Sequence, residues 1–349
     1  MNILRVLALF FLLFLGAFNT LLLYGKPEKD FIPLFDSDSV LDVSLVFFFD
    51  SLYSSDLSET KLYPAKFILR EDSGILSMPV FISKRGHFRK AFNVCDFPPI
   101  RIHFIDKYTN KTLLEGIDKI KLVTHCQNSD TTFDQYILQE YFLYKCYNLL
   151  TERSFKVRLA RIHYIDEGKT HENMSRWAFF IENPSDLAFR INGEVLNIKY
   201  IYPEATDPYY YALMSLFQFM IINQDWSVYI AHNIEFIGIY PGLKPITVPF
   251  DFDMADIIHV PYDSPLLSYR KEKKQERKFF PAKIDKKSMD RAISNVKMKR
   301  KEIENIYINN VYLADSIKNK SLKQIDDFYT ILNNKALLNK NIKYKKRRK

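Results

Sequence analysis

Two stretches decide how this chain is read: "IINQDWSVYIAHNIEF" at Ile221–Phe236 and "VPFDFDMAD" at Val248–Asp256. The first ends an apolar helical run with an Asp beside a Trp, then adds His232 and Asn233. The second sets Asp251 and Asp253 after an apolar strand-like run. Carboxylates and amides crowded at a core boundary either cap and hydrogen-bond the backbone or hold a hard cation through oxygen ligands.

Upstream, Asp207 reads as an N-cap with Pro208 at the first helical position. Leu213, Leu216, Phe217 and Met220 recur at helical spacing, so a buried helix is expected to end near Asn223. "HNIEFIGIY" and "KPITVPFDF" flank "PGL" as a β-hairpin. On a strand, Asp251 and Asp253 would share one face and Phe252 would enter the core. Asp225, Asn233, Asp251 and Asp253 then form a candidate site for a divalent cation and phosphate chemistry, in which the protein mainly positions groups and neutralises charge.

Further upstream the pattern is strand-rich. "VSLVFFF", "AKFILR", "MPVFIS", "PPIRIHF" and "KIKLVTH" read as strands, several of them half-buried and antiparallel, and Arg85-Gly86 as a turn. Arg85, Arg101, Lys119 and Lys121 on this segment are candidates for holding phosphate. "TTFDQYILQEYFLYKCYNLL" reads as a helix opened by a Thr132/Gln135 capping box. Ile137, Leu138, Tyr141, Phe142 and Tyr144 give it a broad apolar face, and Glu140 lies mid-helix, where it can orient a strand cation. "FKVRLARIHYI" and "RWAFFIEN" follow as a strand pair across "DEGKTHENMS", stopped at Glu182-Asn183-Pro184. From Ser268 the chain turns charge-rich, and 286–312 and 321–333 read as amphipathic helices. No GxGxxG or GxxxxGK[ST] phosphate loop is present, which excludes a P-loop enzyme and an ordinary protein kinase.

Composition bounds the rest. The 349 residues are 47% hydrophobic, with 22 Tyr, 29 Phe and only 9 Gly, enough to bury a large core and incompatible with a collagenous or largely disordered chain. Of the 50 Lys and Arg, eight fall in 331–349 with no acid among them. The net charge of +9 is thus mostly a property of the tail, and without a basic, aromatic-interleaved body no nucleic-acid partner is expected. Val6–Phe18 is an unbroken apolar run that resumes at "LLLYG", so residues 1–25 read as a signal peptide or a membrane anchor and the body as exported, with membrane contact through that segment. Cys95, Cys126 and Cys146 allow one disulfide and a free thiol, unpaired by sequence alone.

The run from "ISKRGHFRK" through "CDFPPIRIHF", "KIKLVTHC", "QYILQEYFLYKCYNLL", "FFIEN" and "FQFMIINQDWSVYIAHNIEF" to "VPFDFDMADII" resembles a family of exported bacterial proteins of uncharacterised function. That family is distantly similar to the spore-coat kinase family (CotH type) of atypical protein kinases. The resemblance spans roughly Phe81 to Pro265. It implies an α+β, two-lobed protein-kinase-like fold: a strand-rich N-lobe over 26–183 with one long helix, a helical C-lobe over 184–334 and a basic tail over 335–349. It implies ATP with Mg²⁺ or Mn²⁺ as cofactor and a protein or envelope substrate. By resemblance Asp225 is catalytic and Asn233, Asp251 and Asp253 are metal ligands. Arg101, Lys121, Glu140 and Glu182 fall on the cofactor side, Glu182 leading into the hinge. Asp225 and Asn233 stand farther apart than in ordinary kinases. The alternatives are a catalytically degenerate envelope protein on the same scaffold, and a glycosyltransferase using D-x-D for its metal, against which the clustering of strands ahead of the helices argues.

Overall fold

The computed structural model describes residues 33–53, 60–71, 74–85, 95–258, 260, 276–280 and 284–342. The apolar leader, Gly86 and the end of the basic tail lie outside them. Among the described residues no helix is long and apolar enough to cross a membrane.

The chain is mixed α+β, strand-rich first and helical later. The first half runs β1 (Leu41–Phe47), α1 (Phe49–Tyr53), β2 (Tyr63–Glu71), β3 (Gly74–Lys84), β4 (Ile100–His103), α2 (Asp106–Thr109) and β5 (Lys119–Val123). A long helix α3 (Thr132–Leu150) precedes the hairpin β6 (Val157–Asp166) and β7 (Met174–Ile181). Then come α4 (Pro184–Arg190), β8 (Glu194–Val195), α5 (Pro208–Met220), β9 (Ile234–Gly238) and β10 (Ile246–Pro249). Four helices end the described chain: α6 (Lys286–Met298), α7 (Arg300–Ile308), α8 (Asp315–Asn333) and α9 (Lys335–Asn341).

The strands before α4 do more than form half-buried antiparallel pairs. They close into a barrel in the order β1-β2-β3-β4-β5-β7-β6. Every pairing is antiparallel except the one that seals the ring, where β1 runs parallel to β6 from Leu41↔Ala160 to Phe47↔Asp166. Alternation along the strands fills the interior with Val43, Leu45, Phe67, Ile82, Ile102, Ile120, Leu122, Ile162 and Phe180. The opposite face of β5, β6 and β7 presents Val123, Val157, Leu159, Phe179 and Ile181 to a second core shared with α3 and the later helices.

Helix α3 is therefore buried nearly all round, Glu140 included. The expected capping box does not form. Asp130 Oδ1 accepts the Thr132 N–H at 2.8 Å. Gln135 instead reaches a distant loop, donating to Tyr312 O and accepting from Ala314 N. The Asp207 cap does form, its Oδ1 accepting from the N–H groups of Tyr209 and Tyr210. Helix α5 stops at Met220, three residues before the expected end, because Ile222 adopts φ +56°. The 286–312 segment breaks at Lys299 into α6 and α7.

A ring cluster beside a disulfide packs into the barrel core through Phe97 and Tyr164. A disulfide joins Cys95 to Cys126, and Cys146 stays a buried free thiol. Beside the bridge the His125 ring stacks on Phe97 at 4.4 Å, and its Nε2–H donates to Asn128 Oδ1 at 3.0 Å. Burial pushes the His125 pKa down from 6.5 to about 4. A proton then binds the unfolded chain more readily than the folded one. The contribution is intact above pH 6.5 and eroded as pH falls towards 4. Wild type should lose about 2–3 kcal/mol more stability than His125→Phe between pH 7.5 and 4.5, by urea unfolding. Equal losses in the two proteins would remove His125 as the cause.

Candidate functional site

The site begins where α5 ends. After the left-handed Ile222, Asn223 N–H donates to Gln218 O and Asn223 Oδ1 accepts the Asp225 N–H at 2.9 Å. The Trp226 indole N–H donates to Asn223 O. These bonds present Asp225 on a short, well-held loop, with Trp226 buried beneath it.

The long spacing from Asp225 to Asn233 is taken up by a small hairpin. Ser227 and His232 exchange backbone hydrogen bonds at 3.0 and 2.9 Å, which folds the intervening residues out and returns the chain to its start. Asn233, at φ +56°, then donates from Nδ2 to both Asp225 O at 2.8 Å and Asp225 Oδ2 at 3.1 Å. His232 Nε2 lies 3.2 Å from Asp225 Oδ1. The Asp225 side chain is only 8% exposed.

Strand β10 delivers the acids. Phe250 N–H donates to Asn233 O, so the end of β10 is tied to the amide loop. Asp251 is not on a strand: β10 ends at Pro249 and Asp251 has φ +60°. The strand-face argument for Asp251 and Asp253 therefore does not apply, and Asp253 sits in the turn that follows. Phe252 does enter the core, packing on Tyr144 and Phe217 with ring centroids 4.7 and 5.3 Å away. The exposed Asp251 is fixed through its backbone, whose N–H donates to the Tyr144 hydroxyl at 2.8 Å. Beyond the acids, Asp256 and Ile257 donate to Ile222 O and Ile221 O, closing the segment back onto α5.

Left-handed backbone at residues other than glycine is uncommon and marks places where packing overrides local preference. Among the described residues seven such positions occur, and Ile222, Ala231, Asn233 and Asp251 surround this site.

The barrel supplies the cations. Arg101 on β4 and Lys121 on β5 are directly paired in register, on the outer face. Like charges set opposite each other on adjacent strands repel and cost stability. The Lys121 ammonium also lies 5.6 Å from the Phe250 ring centroid. Burial depresses the Lys121 pKa, Arg85 and Arg101 lower it further, and Asp251 and Glu235 oppose them. Glu235 on β9 is pushed up by burial and drawn back by Lys121. Tyr144 is pushed well above its ordinary value, chiefly by burial and then by Glu140 and Asp251.

Asn233 is thus bonded to Asp225, Asp251 follows the Phe250 that is tied to Asn233, and Lys121 feels the Asp251 charge, with Arg101 paired to Lys121 and Glu140 one helical turn before Tyr144. The Glu182 carboxylate is committed elsewhere, to Arg190 at 2.8 Å through both oxygens and to Lys156 N–H. Tyr144, His232 and Glu235 also belong to the site. Tyr144 stands four residues from Glu140, a spacing that places both on one face of α3. Glu235 lies two residues past Asn233, but the left-handed Asn233 precedes β9, so no strand rule links the two.

Among the described residues no three His, Cys, Asp or Glu side chains converge as a metal cage. A small divalent cation does not require one: it is held by one or two carboxylates together with phosphate oxygens and water. Asp251 and the Asn233 amide fit that pattern, and Arg101 and Lys121 fit the phosphates.

No family model matches the chain, and no curated protein matches it. Among solved structures, the crystal structure of the Golgi casein kinase aligns at 10% identity with a TM-score of 0.31, covering 86% of this chain and 74% of that one. Likeness at that level does not establish a shared fold.

Proposed function

We propose that the chain is an exported, kinase-like phosphotransferase that binds a nucleoside triphosphate with a divalent cation, ATP with Mg²⁺ or Mn²⁺, and acts on a protein or envelope substrate. The observation that carries this is the like-charged pair Arg101 and Lys121, set beside the Asp225–Asn233–Asp251 group. A half-buried cation pair at odds with sheet stability is relieved by an anion, and the adjacent oxygen ligands suit that anion's counter-cation. The sequence of a cationic strand β5, the buried helix α3 carrying Glu140, a strand pair and then a helical half supports a two-lobed arrangement with the site at the junction.

In this reading Arg101 and Lys121 hold phosphate oxygens. Asn233 and Asp251, with Asp253 near, would hold the cation, which neutralises charge on the transferred group. Asp225 accepts the proton of the acceptor hydroxyl and orients it. Export is supported by the apolar leader and by the Cys95–Cys126 bridge, since structural disulfides belong mainly to oxidising compartments.

One observation favours the degenerate alternative, a binding protein on the same scaffold. Both Asp225 carboxylate oxygens already have partners, His232 and Asn233. The two readings separate by calorimetry of the full chain with ATP and Mn²⁺ or Mg²⁺. Lys121→Met and Asp251→Ala should each weaken binding at least tenfold, on the scale of a charge-assisted contact. Unchanged affinity in both variants would rule out a triphosphate site here.

A further inference from the structure

We infer that this site reads the polyphosphate and sugar of its nucleotide and not the base, and so accepts purine and pyrimidine triphosphates alike. The inference rests on the phosphotransfer reading above and concerns what lies beyond the phosphates. A cleft of about 790 Å³ opens from Arg101 and Lys121. It passes the connection between β4 and β5 and reaches the start of α4, carrying Asp106, Asn110, Glu115, Asp118 and Asn183 on its wall. Pro184 is the one apolar side chain among the described residues that line it.

Sites that recognise a planar ligand are lined mainly by apolar and aromatic groups, with a few fixed donors and acceptors. Among the described residues this wall offers the Pro184 ring and side-chain stems but no aromatic ring or branched aliphatic side chain to sandwich a base. Three backbone groups beside it already have partners. Glu182 N–H donates to Lys156 O at 2.9 Å, and Asn183 O accepts from the N–H groups of Asp186 and Leu187. Lys119 O accepts from Asn183 Nδ2 at 2.8 Å, and Pro184 has no N–H. What the cleft does provide is carboxylate and amide acceptors suited to sugar hydroxyls, next to two cations suited to phosphate.

The test is calorimetric titration of the full chain with ATP, GTP and UTP, each with Mn²⁺. The three dissociation constants should agree within tenfold, and Arg101→Gln should weaken all three by a common factor of at least ten. A preference above tenfold for one base, or an Arg101→Gln effect confined to one nucleotide, would overturn base indifference while leaving the triphosphate site standing. Absence of binding by all three would overturn both.

Discussion

Asp225→Asn should cut phosphoryl transfer by about a thousandfold, the scale of a lost general base, while ATP affinity stays within about threefold of wild type. The substitution keeps the size of the side chain and leaves the Asp225 backbone carbonyl free to accept from Asn233 Nδ2, as it does at 2.8 Å. The loop geometry set by Asn223, Trp226 and the Ser227–His232 bridge does not depend on the carboxylate. What is lost is the negative oxygen that takes the proton in the proposed reaction. A single-turnover assay with radiolabelled ATP, on a protein shown by circular dichroism to be folded, reads the effect. Activity above a tenth of wild type would show that Asp225 is not the base and would return weight to a binding role.

The largest expected stability loss is at Glu182→Ala, about 3–5 kcal/mol by urea unfolding. That is the cost of stranding one partner of a buried ion pair. The Glu182 side chain is only 3% exposed. Arg190 grips both its oxygens and also donates to Glu152 O and Ser154 O, so one guanidinium joins the end of α3, the start of β6 and the end of β7. Removing the carboxylate leaves that guanidinium without its counter-charge among neighbours that are already folded around it. A loss below 1 kcal/mol would mean that Arg190 finds a substitute acceptor. The same geometry predicts little change in ATP affinity for Glu182→Gln, since the carboxylate faces Arg190 and Lys156.

What was legible in the sequence was what depends on near neighbours. Asp207 and Pro208 announce α5 because a cap acts within one turn, and the 232–252 hairpin follows from alternation around a glycine turn. The failures are long-range. Gln135 has the spacing of a capping box, yet its amide is spent on residues near 312, and no local rule sees that. The β1–β6 pairing that seals the barrel joins residues more than a hundred positions apart. The alternation around Asp251 reads as strand because a residue that packing forces to φ +60° is indistinguishable in sequence from one that is extended. The Asp225–Asn233 distance looked too long for the same reason. It shortens once Ser227 and His232 pair.

The parallel seal between β1 and β6 has a consequence for recognition. A sheet with a free border can capture a partner by adding the partner's chain as one more strand, and that route also leads to aggregation. The seven barrel strands form a ring in which each already has two neighbours. Among the described strands, longer unpaired borders remain on the first part of β3, before its pairing with β4 begins at Phe81, and on β7 before Phe179, besides the short β8 and β10 of the small sheet. Strand addition by a partner chain is therefore confined to those stretches, since the parallel seal leaves no continuous border between β1 and β6 to extend.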